Sequence, residues 1–316
     1  SLVEAMGLPA EWPASETFRS VLAGAAPLPG AAPSASVYAG HQFGHFVPQL
    51  GDGRAHLLGE WRGADQRVWR LQLKGSGRTP WSRGADGRAV LRSSLREYVA
   101  SEAMHALGIT TTRALALGMS PQPIYRERAE PAGIVLRVAP SFLRFGHFEY
   151  WASQRRPDRV RQLADAVIHQ HAPQHIGRHA DWLEDVLSRT AVLMAQWQTV
   201  GFCHGVMNSD NFSILGLTID YGPYGFLDAF DPNHIFNHTD QGGRYTWAQQ
   251  PPIGQWNCAR LLEACLSLLA DDESAAIERA NALLQRYSET YSEAIAARWR
   301  AKFGLATTQS DDAELM

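Results

Sequence analysis

The chain has 316 residues, of which 45% are hydrophobic and 19% charged, and its formal net charge is −3. This length suffices for one large domain or two smaller ones with substantial cores. The balanced charge excludes the broadly basic surface of nucleic-acid-binding proteins, and no stretch approaches the roughly 20 apolar residues of a membrane span. We therefore expect a soluble protein that binds neither nucleic acid nor membrane.

The two ends of the chain favour a fragment of a longer protein. The N-terminus (SLVE) has no Met and no signal pattern, and the C-terminus (DDAELM) has the composition of a helix interior. Residues 1–36 are rich in Ala, Pro, Gly and Ser, which predicts an irregular wrap or linker. An Ala- and Arg-rich composition without a transit peptide indicates a bacterial cytoplasmic protein.

Three cysteines, Cys203, Cys258 and Cys265, form neither a CxxC pair nor a zinc-ligand spacing. A low, odd count indicates reduced thiols rather than a disulfide framework. Cys203 precedes His204, so a thiolate nucleophile is one interpretation. A small buried residue is the favoured one.

Residues 37–46 (VYAGHQFGHF) carry two histidines that could ligate a metal. A metal site needs further carboxylates or thiols at defined spacing, and none is near in sequence. The favoured interpretation is a packed loop.

Alternating apolar residues predict a β-hairpin over residues 55–61 and 68–74. A glycine turn, QLGDGR at residues 49–54, opens the first strand, and Lys74 ends the second. Residues 75–88 then hold four Gly and three Arg in fourteen positions. Backbone N–H groups and guanidinium groups together are typical of an anion-binding loop, although surface loops often have this composition.

A helix is predicted over residues 91–107, ended by Gly108. Its apolar stripe includes Glu102, whereas Glu97 lies on another partly buried face. A buried carboxylate needs a cationic partner, so periodicity favours Glu102 as the partner of Lys74 and leaves Glu97 open.

Strands are predicted near residues 110–117 and 133–138. The second contains Arg137, which is equally consistent with an exposed arginine and with an anion ligand. Beyond residue 150 the pattern is helical, with long amphipathic runs at 158–171 and 181–200 and closing helices near 256–269 and 272–297.

Residues 204–213 (HGVMNSDNFS) and 217–222 (LTIDYG) carry the strongest functional signal. An Asp-Asn pair, a short apolar run and Asp-x-Gly are typical of phosphoryl-transfer sites, where Asn and Asp hold a divalent metal. Val206 occupies the position of a kinase's catalytic Asp. Because Val cannot accept a proton, Asp210 is the nearest replacement.

The order of these features is that of a two-lobed kinase, and six segments resemble the selenoprotein O family of kinase-fold proteins: residues 38–44, 49–54, 73–80, 84–94, 144–149 and 204–221. The resemblance runs from about residue 37 to 270. It implies an α+β, bilobal protein-kinase-like fold, with a small β-rich N-lobe over 37–140 and a larger helical C-lobe over 141–316. The resemblance also implies a further C-terminal region, which we expect this chain to lack.

The resemblance also implies transfer of AMP from ATP, bound in a flipped orientation, to Ser, Thr or Tyr hydroxyls of acceptor proteins by a monomer. Asp210 would be the base, and Asn211 and Asp220 the ligands of Mg²⁺ or Mn²⁺. Lys74 would pair with Glu97. Further nucleotide contacts would come from Gly51, Gly53, Arg54, Asp86, Gly87, Arg137 and Arg144, together with Asp220.

Three alternatives stay open at this point. Some bacterial relatives are described as using UTP, so UMP transfer is one. The His204-Gly205 pair resembles phosphotransferases of conventional polarity, which is another. A non-catalytic nucleotide-binding protein that has lost the kinase Asp is the third.

Overall fold

The computed structural model of the protein describes residues 2–307, 309 and 312, and it combines antiparallel sheets with a mainly helical C-terminal part. This is the predicted α+β composition. The chain divides into two compact units. Unit 1 comprises Ser1–Tyr38, Gln49–Leu143 and Thr218–Tyr221, and unit 2 comprises Ala39–Pro48, Arg144–Leu217 and Gly222–Met316.

The strands in chain order are β1 Val37–Gln42, β2 His45–Gly51, β3 Ala55–Arg62, β4 Val68–Lys74, β5 Ala89–Val90, β6 Arg113–Tyr125, β7 Ala129–Ala139, β8 Phe202–Cys203 and β9 Gly225–Phe226. The helices are α1 Leu2–Ala5, α2 Glu16–Leu22, α3 Leu91–Ala106, α4 Phe145–Ser153, α5 Pro157–His171, α6 His179–Thr199, α7 Gln250–Ala264, α8 Leu266–Leu269 and α9 Glu273–Phe303. No helix within residues 2–307 has the length and apolar character needed to cross a membrane.

A five-stranded sheet forms the centre of unit 1. Its order is β3-β4-β7-β5, with β6 also paired to β7, and the pairs are antiparallel. The predicted hairpin of β3 and β4 is confirmed, and Lys74 ends β4. The register sets Gln72 opposite Arg137 and Lys74 opposite Val135. Side chains that share a face alternate along a strand, so Gln72 and Lys74 project from the same side of β4.

The prediction of an irregular segment over residues 1–36 is wrong, because two helices lie within it. The Ser15 side chain accepts a hydrogen bond from Phe18 N at 3.0 Å and so caps the N-terminus of α2. Met6, Phe18 and Val21 are buried in the same cluster as side chains of β3, β4 and β7. The Ala- and Pro-rich composition concealed these apolar anchors, which complete one face of the sheet.

Helix α3 is confirmed at its predicted position, but the face predicted to be buried is not the one that is buried. Glu97, Ala100, Ser101 and Met104 are buried, whereas Leu95 is 48% exposed. The inner face of α3 therefore consists of small and polar residues together with Met104. A charged residue is stable there only if it has partners of opposite charge.

Unit 2 is built around α6, which packs against α7 and α9. The predicted apolar face of this helix is buried, including Trp182, Leu187 and Met194. The short strand β8 follows α6 and pairs with β9. Residues 204–213 come directly after β8, so the core of unit 2 determines where this loop begins.

Candidate active site

Four charged side chains of unit 1, Lys74, Glu97, Arg137 and Asp220, form one contiguous group, which we call the Lys74 cluster. Lys74 Nζ lies 2.7 Å from Glu97 Oε2 and 2.8 Å from Asp220 Oδ1. Arg137 Nη1 lies 3.0 Å from Glu97 Oε1 and 2.5 Å from Asp220 Oδ1. Each cation therefore contacts both anions, and each anion contacts both cations.

The charged side chains of the Lys74 cluster are buried, and removing them from water costs desolvation free energy. Arg137 is only 2% exposed and Lys74 8%, so the exposed interpretation of Arg137 is wrong. Burial lowers the pKa of the Lys74 ammonium, and the charges of Asp220 and Glu97 oppose that shift. Two positive and two negative side chains compensate one another, which is the condition for keeping buried charges ionised.

The partner of Lys74 is Glu97 rather than Glu102. Glu102 accepts hydrogen bonds from Arg113 Nε at 2.8 Å and Nη2 at 2.7 Å. Its Oε1 also accepts from Ala114 N at 2.9 Å. The charge of Glu102 is thus satisfied at the start of β6, and the periodicity that favoured it is explained by a second, separate ion pair.

Gln72 belongs with this cluster and was missed by the sequence analysis. Its Oε1 accepts a hydrogen bond from Arg137 Nε at 2.8 Å, and its Nε2 donates to Asp52 Oδ2 at 3.5 Å. Gln72 is 1% exposed. A signal was present in the sequence, since a polar residue two positions before Lys74 in an apolar strand shares the face of Lys74.

Asp220 lies in Thr218–Tyr221, a short segment of unit 1 that is hydrogen-bonded to residues 110–112 of the same unit. Thr218 N donates to Thr110 O at 2.9 Å, and Thr112 N donates to Thr218 O at 3.0 Å. The Tyr221 hydroxyl contacts the Thr111 hydroxyl. Asp220 itself has φ +63°, a left-handed conformation that is costly for a non-glycine residue. Anchoring on both sides holds the carboxylate toward Lys74 and Arg137 despite that cost.

The predicted glycine positions lie where the backbone is tightly packed. A methyl group on Gly51 would be 2.7 Å from the Trp81 side chain, and one on Gly53 would be 2.9 Å from Trp81 O. Gly87 has φ +68°, and a methyl group there would be 2.1 Å from Gly77 O. Glycine therefore allows close approach of backbone in both loops, as nucleotide-binding loops require.

Two further predicted contacts lie outside the Lys74 cluster. Asp86 accepts hydrogen bonds from Arg126 Nη1 and Nη2, both at 2.8 Å, and from Arg88 N at 2.9 Å. The hydrogen bonds from Arg126 lower the pKa of Asp86 to about 2. Arg54 is exposed, and its carbonyl accepts from Gly75 N at 2.7 Å, which ties the two glycine loops together.

In unit 2, amide side chains fix the main chain of residues 204–213. Gln250 Oε1 accepts from His204 N at 2.9 Å. Asn237 Nδ2 donates to Gly205 O at 3.0 Å, and Asn257 Nδ2 donates to Met207 O at 2.9 Å. Each of these amides is buried. The main chain of the loop is therefore held at His204, Gly205 and Met207 by buried side chains of the same unit.

Asp210 lies in the short 3₁₀ helix Ser209–Asn211 and is buried. Arg144 Nη1 donates to its main-chain carbonyl at 2.8 Å, and Gln42 Nε2 donates to its Oδ2 at 3.4 Å. Arg144 is 2% exposed. Its backbone N–H donates a hydrogen bond to His147 Nδ1 at 3.0 Å. Burial and the charge of Arg144 lower the pKa of His147 to about 3, so His147 is neutral.

Asn211 and Asp220 have the donor chemistry of a hard divalent cation, because both offer oxygen. Asn211 Nδ2 donates to Val206 O at 2.9 Å. That bond engages the amide nitrogen and leaves the oxygen as the atom of this side chain that could serve as a metal ligand. Within the described residues, no group of three or more His, Cys, Asp or Glu could hold a metal.

The histidine segment at residues 37–46 forms strands rather than a loop, and one of its histidines does meet a carboxylate. His41 Nδ1 lies 2.5 Å from Glu149 Oε2. The sequence prediction considered only neighbours along the chain, and Glu149 lies 108 residues from His41 in sequence. One histidine and one carboxylate do not make a metal site.

Cys203 is buried, and its thiol donates to Tyr245 O at 3.3 Å. Burial raises the pKa of this thiol to about 12. A thiolate nucleophile at this position is therefore excluded at neutral pH, and the favoured interpretation of a small buried residue agrees with the structure.

We expect Cys203 to resist alkylation by iodoacetamide in the native protein at pH 8, because its thiolate is scarce and covered. Peptide mass spectrometry should show modification only after unfolding in urea, which serves as the control. Equal alkylation of native and unfolded protein would contradict this assignment.

These features indicate a candidate nucleotide-binding enzyme: an α+β fold, a buried Lys–Glu pair, tightly packed glycine loops and a loop with an Asp-Asn pair. Comparison with known proteins identifies its family. A family model described as protein adenylyltransferase SelO matches residues 1–316. The chain belongs to this family.

Individual relatives agree with that result. The chain is 56% identical over 299 residues to a protein nucleotidyltransferase YdiU of Methylococcus capsulatus, covering 94% of this chain and 59% of the relative. It is 54% identical over 314 residues to one of Thioalkalivibrio sulfidiphilus, covering 98% and 64%. For one of Myxococcus xanthus the identity is 54% over 302 residues, covering 95% and 61%. The chain thus spans about three fifths of the length of these curated relatives.

Proposed function

We propose that this chain carries the catalytic residues of a protein nucleotidyltransferase that moves AMP from ATP to Ser, Thr or Tyr hydroxyls of acceptor proteins. One observation carries the proposal: Asp210 is the one carboxylate in residues 204–213, where Val206 stands in place of a kinase base. Family membership and the relatives named as nucleotidyltransferases support it. The family resemblance also favours a protein-kinase-like arrangement of lobes at 37–140 and 141–316.

In the proposed reaction, the Asp210 carboxylate accepts the proton of the acceptor hydroxyl. The hydroxyl oxygen attacks the α-phosphorus of ATP, a new phosphoester bond forms, and the bond from the α-phosphorus to pyrophosphate breaks. AMP stays on the protein, and pyrophosphate leaves with the bonding electron pair. The cationic side chains of Lys74, Arg137 and Arg144 are assigned the role of stabilising the negative charge of the departing pyrophosphate, because cations near phosphoryl oxygens stabilise such a leaving group.

Glycine loops and a metal would complete nucleotide binding. Gly51, Gly53 and Gly87 are assigned to backbone contacts with the nucleotide, with Arg54 and Asp86 as side-chain contacts. Asn211 and Asp220 are the proposed ligands of Mg²⁺ or Mn²⁺. When bound, such a cation supplies positive charge to phosphate oxygens.

We expect ATP labelled at the α-phosphate to mark acceptor protein, and ATP labelled at the γ-phosphate to leave it unmarked. Gel autoradiography of a bacterial protein extract incubated with the enzyme measures both. Transfer of the γ-label alone would support a kinase of conventional polarity and contradict the proposal. Nucleotide-induced thermal stabilisation without transfer of either label would support a non-catalytic binding protein.

UTP is a second candidate donor, because the relatives are named nucleotidyltransferases without a specified base. The same chemistry at the α-phosphorus would then transfer UMP. Competition decides between the donors: unlabelled UTP suppresses labelling from α-labelled ATP at low concentration if UTP is preferred, and only at high concentration if ATP is preferred.

A further inference from the structure

Residues 39–44 (AGHQFG) belong to unit 2 although they precede most of unit 1 in sequence. They run along the loop that contains Asp210. His41 N donates to Ser209 Oγ at 2.7 Å, and Phe43 N donates to Asn208 Oδ1 at 3.2 Å. The backbone on either side of Gln42 is thus hydrogen-bonded to two consecutive residues of the loop, and this fixes the position from which the Gln42 side chain projects.

The side chain of Gln42 reaches the carboxylate of Asp210. Its Nε2 donates to Asp210 Oδ2 at 3.4 Å, which is near the upper limit of a hydrogen bond. An amide N–H₂ can donate but cannot take a proton at neutral pH. Gln42 therefore cannot replace Asp210 as a base, but it can restrain the orientation of the carboxylate.

Gly40 provides the space in which Asp210 sits. A methyl group on Gly40 would lie 2.9 Å from both Cβ and Oδ1 of Asp210 and 3.1 Å from its N. These distances are below ordinary van der Waals contact, so any larger residue would displace the aspartate. Gly40 has no positive φ, so the requirement for glycine arises from this contact and not from backbone strain.

Neighbouring groups hold residues 39–44 in turn. The Tyr245 hydroxyl accepts from Phe43 N at 3.0 Å and donates to Asn208 Oδ1 at 2.7 Å. Glu149 fixes the ring of His41 at 2.5 Å. A methyl group on Gly146 would lie 2.2 Å from Ala39 O, which shows how closely α4 approaches the segment. The segment is therefore a rigid support with a defined geometry.

We propose that Gln42 is a positioning residue for Asp210: its amide holds the Asp210 carboxylate in the orientation in which it accepts the acceptor's proton. The inference rests on the proposed nucleotidyl transfer. A purely structural role for Gln42 would affect folding or nucleotide binding. A positioning role affects the rate of transfer through Asp210, and these consequences can be measured separately.

The test uses Gln42→Leu, which keeps the approximate volume and removes the donor. We expect kcat for transfer of α-label to fall about 10–100-fold, as for a misoriented catalytic group, while the KM for ATP and the melting temperature stay near those of the unchanged protein. Gln154→Leu is the matched control, because Gln154 is exposed in the same unit. We expect it to leave kcat unchanged.

The double variant of Gln42 and Asp210 gives a sharper test, because the effects of the two substitutions should not add. When Asp210 is already replaced by Ala, the further change Gln42→Leu should leave the residual rate unaltered, because the amide has lost the group it positions. An equal fold-loss in both backgrounds, or an unchanged kcat in Gln42→Leu, overturns the inference while leaving nucleotidyl transfer intact. Absence of α-label transfer by the unchanged protein overturns both.

A second variant tests whether Asp210 needs the space left by the absent side chain of Gly40. Gly40→Ala should lower kcat at least as much as Gln42→Leu, since its methyl group would push directly against Asp210. Gly242→Ala is the matched control, because a methyl group there meets no atom within 4 Å and the residue has no positive φ. Full activity of Gly40→Ala would show that Asp210 does not need the space left by the absent side chain of Gly40.

Discussion

Replacing Asp210 by Ala is expected to lower the rate of nucleotidyl transfer by about 10²–10⁴-fold, the usual cost of removing a general base. The affinity for ATP should change little. Asp210 is the only acidic residue in residues 204–213, and Val206 cannot accept a proton. Single-turnover rates with α-labelled ATP and saturating acceptor protein measure the first effect, and calorimetric titration with ATP measures the second.

Two controls make this result specific. Asp228→Ala removes an exposed aspartate of the same unit and should retain full activity. Asp210→Asn preserves the approximate shape of the side chain and one acceptor oxygen but not its basicity, so it should be as inactive as Asp210→Ala. Undiminished transfer in either Asp210 variant would remove Asp210 from the role of base.

The regular part of unit 1 could be predicted from sequence because its signals are local. Alternation in β3 and β4 marks the hairpin, and the position of Lys74 follows from where the alternation ends. Helix α3 was likewise predicted to within a residue or two. Strand and helix periods are properties of adjacent residues, so no knowledge of tertiary contacts was needed.

The choice between Glu97 and Glu102 could not be made from periodicity. An apolar stripe predicts the buried face of a helix only when burial is driven by apolar side chains. In α3 the buried face carries the ion-paired Glu97, and the exposed face retains Leu95. The family resemblance identified Glu97 because it carries tertiary information that the single helix lacks.

The contacts between residues 39–44 and Asp210 could not be predicted from the sequence for a different reason. Gln42 and Asp210 are 168 residues apart. No local pattern specifies a partner at that separation. Residues 1–36 were misjudged for a related reason, because the apolar residues that anchor them to the sheet are sparse and separated by Pro and Gly.

Glu97→Gln is expected to destabilise the protein by about 3–5 kcal/mol, the usual cost of removing one partner from a buried ionic group. Glu97 accepts from both Lys74 and Arg137, at 2.7 and 3.0 Å. With glutamine in its place, two buried cations would share the single negative charge of Asp220. Loss of Lys74 ionisation can relieve this, because burial already lowers its pKa, whereas Arg137 stays charged.

The measurement is the urea concentration at half-unfolding together with the slope of the transition. Glu102→Gln is the matched control: it lies on the same helix and also pairs with an arginine, but its side chain is 31% exposed. Because solvent weakens such a pair, we expect a loss of about 1 kcal/mol or less. If Glu97→Gln were no more destabilising than Glu102→Gln, the Lys74 cluster would not be a compensated buried group. The assignment of Lys74 and Arg137 to the phosphates would then lose its structural basis, since both are held in place by that carboxylate.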